Sequence, residues 1–108
     1  MADPEALYRQ WKQRRPKEAR PDDVLKVTRH YFADSEERRK PGSHFVLVVE
    51  RRIPALANEL GVFRLQPFNQ YGELLIPVSG GKRVKGFYIK QLIKAIELKE
   101  QLDEIGQR

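Results

Sequence analysis

The chain has 108 residues, no cysteine and a net charge of +6, with 40% hydrophobic and 33% charged residues. That is material for one small domain with a single core, and it excludes disulfides, thiolate metal sites and a thiol nucleophile. No window approaches the ~18 apolar residues of a membrane span, and Met1-Ala2-Asp3-Pro4-Glu5 lacks the basic and apolar regions of a secretory signal, so the expected location is cytoplasmic.

Asp3-Pro4-Glu5 reads as a helix start, with an N-cap, a proline at the first helical position and an acid in the first turn. Leu7 and Trp11 share a face, and Pro16 ends the helix near Arg15. Arg14 to Pro21 is a basic linker with two prolines. Residues 1–21 are therefore expected to be an N-terminal helix and linker, and residues 22–108 the main domain. A second helix is expected from Asp22 to about Ala33, with Val24, Val27 and Tyr31 on its apolar stripe. His30 falls on the polar side. Asp34 to Lys40 reads as a charged segment leading to a Pro41-Gly42 turn.

Ser43 to Glu50 is the first expected strand. Alternation puts Phe45, Leu47 and Val49 on one face, expected to meet the helices, and His44, Val46, Val48 and Glu50 on the other. Val46 and Val48 then need cover from the N-terminal helix or from a second copy in a homodimer. Arg51 to Leu60 reads as either a helical turn or a long loop. Val62 to Gln66 alternates and is the second expected strand; Glu73 to Val78 is the third, with Pro77 marking an edge or an end. Ser79 to Gly86 is a basic, glycine-containing loop. Ile89, Leu92, Ile93 and Ile96 then give the clearest amphipathic stripe, in a helix running to about Ile105.

The expected fold is α+β: a three-stranded antiparallel sheet with helices on one face. After the extra N-terminal helix the order is α-β-β-β-α, that of double-stranded-RNA-binding domains. Two polyanion-binding signals accompany it. Lys82, Arg83 and Lys85 precede the last helix and Lys90 lies on it, a plausible phosphate clamp at a helix start. Arg38, Arg39 and Lys40 stand immediately before the turn that carries Ser43 and His44. Each run also fits a merely solvated surface. No metal site is expected, since the two histidines are distant in sequence.

Gly42-Ser43-His44 at the head of an apolar strand resembles the signature of the HicA toxin family. Leu75-Ile76-Pro77, the following Gly/Lys-rich loop, Lys85-Gly86 and the Ile89 to Ile96 stripe resemble that family's run from third strand into last helix. The resemblance covers about Asp22 to Glu97. It implies a small endoribonuclease, an mRNA interferase of a toxin–antitoxin module, with a double-stranded-RNA-binding-like fold. It places the catalytic histidine on His44, requires no cofactor, and implies RNA and a cognate antitoxin that covers His44 as partners. Ser43, Arg39, Lys40, Lys82, Arg83, Lys85 and Lys90 would contact phosphate. Val78 and Ser79 stand where the family carries a second histidine. That departure keeps a non-catalytic RNA-binding module of the same fold in view, beside a structural or oligomerising protein whose charge serves solubility.

Overall fold

The computed structural model describes residues 3–106; the outermost residues of the two expected spans, 1–2 and 107–108, lie outside the described residues. Helix α1 (Pro4–Gln13) starts where the sequence predicts: Asp3 is extended at the N-cap and its Oδ1 accepts from the Ala6 N–H at 2.8 Å. A two-residue strand β1 (Glu18–Ala19) follows, then α2 (Pro21–Tyr31), the hairpin β2 (Glu36–Lys40) and β3 (Ser43–Val49), α3 (Ile53–Leu60), β4 (Glu73–Pro77), β5 (Val84–Lys85) and the long α4 (Gly86–Gly106). Strands β2, β3 and β4 form an antiparallel three-stranded sheet with β3 in the centre, and β1 pairs with β5 in a separate two-stranded ribbon.

The expected α+β class with one three-stranded antiparallel sheet is present, but its strands differ from those read in the sequence. Val62 to Gln66 is not a strand. Its alternating residues lie in the loop after Gly61, whose left-handed backbone closes α3, and Val62 and Phe63 are exposed. The missing strand is β2, built from Glu36-Glu37-Arg38-Arg39-Lys40, which has no apolar residue at all. Its backbone is held by the two-residue Pro41-Gly42 turn and by pairing with β3 from Lys40↔Ser43 to Glu36↔Leu47. Such a strand at a sheet edge needs no apolar side chains on its solvent face, and its charges discourage further pairing. The segment from Ile53 to Leu60 is a helix, not a long loop.

The two faces of β3 also differ from that assignment: Leu47 is buried at 5% exposure, but the face that joins the core shared with the helices is the other one. Val46 and Val48 are fully buried at 0% exposure and belong to the same core as Ile76, Val24, Val27, Ile89, Leu92 and Ile96. Leu75 is paired opposite Leu47 on the other face and is 49% exposed. Cover for Val46 and Val48 therefore comes from within this chain's own core. Alternation fixes which residues share a face, but only the position of the helices decides which face is inside.

Residues 3–21 belong to the same structure. Leu7, Tyr8 and Trp11 are buried in the common core. The Tyr8 hydroxyl donates to Glu100 Oε1 at 3.2 Å, tying α1 to α4. Burial and the neighbouring Glu100 carboxylate hold that phenol protonated by raising its pKa. The Gly86 N–H donates to the Lys17 carbonyl at 2.7 Å, extending the β1–β5 ribbon into the start of α4. At the far end, Glu50 is buried but satisfied: Arg52 meets both its carboxylate oxygens at 2.8 and 2.9 Å and also reaches Asp103 at 2.8 Å. No helix among the described residues is long and apolar enough to cross a membrane.

Candidate functional site

His44 is the second residue of β3. Arg39 is directly opposite it, and residues opposite each other in an antiparallel pair point to the same side. Two residues further along β2, Glu37 is on that side as well. The hairpin register therefore brings Glu37, Arg39 and His44 together. His44 Nε2 lies 2.9 Å from Glu37 Oε2, and Arg39 donates to the same oxygen at 3.3 Å. Hydrogen bonding from His44 is the main reason that the Glu37 carboxyl is held below the usual range, with Arg39 adding to it. An ionised carboxylate only accepts, so Nε2 carries a proton and donates. In the neutral ring the lone pair is then on Nδ1.

Nδ1 faces the loop after β4. A Cβ built on Gly81 would stand 3.8 Å from it, so the hydrogen at that position keeps side-chain bulk away from the nitrogen. Gly81 has φ of +69°, a conformation that β-branched residues strongly disfavour. The His44 side chain is 14% exposed. It lines a cleft of about 330 Å³ together with Arg39, Lys40, Ser43 and the Gly80-Gly81 backbone. A second, larger cleft of about 450 Å³ adjoins it through Gly42, Ser43, His44 and Val78, and Phe45, Leu75 and Pro77 contribute its apolar walls.

The residues singled out from the sequence thus separate into groups. Ser43, His44, Arg39 and Lys40 share one cleft. Lys82 and Arg83 line a neighbouring cleft that shares Gly80 with it, and Arg83 is partly engaged by Glu18 at 3.3 Å. Lys85 and Lys90 lie elsewhere, in two clefts along α1, the linker and α4. The Gly86 N–H at the start of α4 is taken by Lys17 and is not free for a phosphate. His30 is exposed and pairs with Glu5 at 3.3 Å.

Glu37 is the functional candidate that reading the sequence missed. The Pro41-Gly42 turn was the sole cue, and it does not by itself require flanking strands; once β2 is known, pairing backwards from His44 places this acid diagonally beside it. Val78 is buried at 6% exposure and its N–H donates to the His44 carbonyl at 2.9 Å. Ser79 closes the following turn by bonding Arg83. Among the described residues, no group of three His, Cys, Asp or Glu side chains is placed to hold a metal ion. Compared with known proteins, the chain matches no family model, no curated protein and no solved structure.

Proposed function

We propose that this chain binds RNA and cleaves it without a metal, as an endoribonuclease resembling the HicA toxins, with His44 as general base and Glu37 as the group that orients it. The carrying observation is the Glu37–His44 pair in a cleft that also presents Arg39 and Lys40. A base whose second nitrogen is fixed by a carboxylate is the arrangement that general-base catalysis uses. In the proposed step His44 Nδ1 removes the proton of a ribose 2′-hydroxyl. The 2′-oxygen attacks the adjacent phosphorus, the bond to the 5′-oxygen breaks, and a 2′,3′-cyclic phosphate forms. The leaving 5′-oxygen takes a proton from water. Arg39 and Lys40 stabilise the charge that builds on the phosphate oxygens, and Ser43 donates a hydrogen bond there. Lys82 and Arg83 hold the strand on the neighbouring side of the Gly80-Gly81 turn. A cognate antitoxin would act by covering the His44 cleft.

One observation favours a second reading, a non-catalytic RNA-binding module of the same fold. Val78, where the HicA resemblance calls for a second histidine, is a buried apolar side chain that cannot act as an acid, so the leaving group has no side chain dedicated to it. Cleavage of a mixed RNA in EDTA by the wild type, His44→Ala and Glu37→Gln decides between them. A ribonuclease of this design loses about 10²–10⁴ in rate without its base and keeps RNA binding. Absence of cleavage by the wild type, with salt-sensitive binding retained, selects the binding module.

A further inference from the structure

We propose that α1, the linker after it and the first three turns of α4 form a docking track for single-stranded RNA, with Phe87 as a stacking platform for an unpaired base. The inference rests on the RNA-binding reading above and concerns a surface separate from the His44 cleft. Two adjoining clefts make the track. The first, of about 430 Å³, is lined by Arg15, Pro16, Lys17, Lys85, Gly86 and Phe87. The second, of about 300 Å³, includes Trp11, Lys12, Arg15, Lys90 and Lys94 in its lining. Arg15 belongs to both, so the clefts are continuous around its side chain.

Tertiary structure, not sequence proximity, assembles these cations. Lys12, Arg15 and Lys17 lie in α1 and the linker after it, whereas Lys85, Lys90 and Lys94 stand some seventy positions later. The β1–β5 ribbon joins them: Glu18 pairs with Lys85, and the Gly86 N–H bonds Lys17. The approach there is so close that a Cβ on Gly86 would lie 2.5 Å from the Pro16 carbonyl oxygen. All six cations are exposed, and no carboxylate of the described residues forms an ion pair with any of them. The second cleft's lining includes one carboxylate, Glu97. Six cations against that one lining carboxylate leave an excess of positive charge that repels itself, and a polyanion relieves that repulsion.

Phe87 distinguishes this surface from a merely solubilising one. Phe87 is 60% exposed, edge-on to Tyr88 at 5.1 Å, in a cleft otherwise formed by three cations, Pro16 and Gly86. Phe87, Lys90 and Lys94 follow the i, i+3, i+7 spacing of one helix face. A cationic groove with an aromatic at its wall is the combination that holds single strands: phosphates meet the cations while a base stacks on the ring. In a duplex the bases are already stacked on each other, and an isolated phenylalanine has nothing to take.

The test is fluorescence anisotropy of the full chain with a short labelled single-stranded RNA and with the corresponding RNA duplex, over a salt series. Phe87→Ala is expected to weaken single-strand binding by about 5- to 150-fold with an unchanged salt slope and an unchanged affinity for duplex. Phe87→Trp is expected to restore binding. The double variant Arg15→Glu, Lys17→Glu is expected to flatten the single-strand salt slope by about 0.7 for each phosphate contact removed. If the wild type binds RNA but Phe87→Ala binds single strands equally well, the track is wrong and the RNA-binding reading stands. If the wild type binds neither form at low salt, both fall.

Discussion

Replacing Gly86 by alanine tests the junction that joins the N-terminal segment to α4. The new methyl would lie 2.5 Å from the Pro16 carbonyl oxygen and 3.0 Å from that of Lys17. The nearer contact is about 1 Å short of a comfortable separation, and both obstacles are backbone, so no side chain can swing aside. The ribbon must separate from α4, and the 2.7 Å bond from Gly86 N–H to Lys17 is stretched or lost. Steric strain of this kind costs about 1–3 kcal/mol and the lost hydrogen bond about 1 kcal/mol. The better helix propensity of alanine offsets less than about 1 kcal/mol, since Gly86 is the first residue of α4 rather than an interior one. A net loss of roughly 1–3 kcal/mol lowers the melting temperature of a domain this size by about 5–20 °C. Thermal unfolding followed by circular dichroism reads that shift. Amide exchange over residues 17–19 and 84–86 shows whether the ribbon is where protection is lost. A variant that melts within a degree or two of the wild type, with those amides equally protected, would refute the close packing of linker against helix.

Two further outcomes follow from the sheet and from the site. Ile76→Ala, at a fully buried position, is expected to destabilise by about 2–5 kcal/mol; its neighbour Leu75→Ala, half-exposed on the opposite face beside Leu47, by about 1 kcal/mol or less. Chemical denaturation of both variants checks this, and a reversed order would put the other sheet face inside. The carboxyl of Glu37 titrates lower in the folded state than in the unfolded chain, so its contribution is fully present above the unfolded value of about 4.3 and disappears as pH falls through the depressed folded value. Melting temperature against pH should therefore drop less steeply on acidification below about pH 4.3 in Glu37→Gln than in the wild type; parallel curves would mean that the Glu37–His44 bond does not form in solution.

The candidate site was partly legible. His44 could be singled out because it follows Gly42-Ser43 at the mouth of an apolar run, and Arg39 and Lys40 could be suspected from their nearness in sequence. Glu37 could not be paired with His44 until its segment was known to be a strand. Five consecutive charged residues carry no hydrophobic period, so nothing in them announces β2; the backbone ladder to β3 makes the strand. The reverse error occurred at Val62 to Gln66. Alternation there satisfies a strand pattern, but a strand exists only with a partner, and this segment has none beside it. The cations of the proposed track were visible as separate basic runs, and their proximity was not, because it depends on a two-residue ribbon too short to leave a pattern.

By itself the sequence determined the long α4 through its Ile89, Leu92 and Ile96 stripe, the start of α1 through the Asp3 cap, the central strand through its apolar run, and the α+β class. These are local properties, set by side-chain periodicity and by hydrogen bonds a few residues in reach. Tertiary structure alone decided which face of β3 is buried, which charged segment becomes β2, that α1 packs into the common core, and that Lys17 meets Gly86. Each of those depends on what lies opposite in space, and pairing or burial energy between distant segments outweighs the weak preferences of the residues themselves.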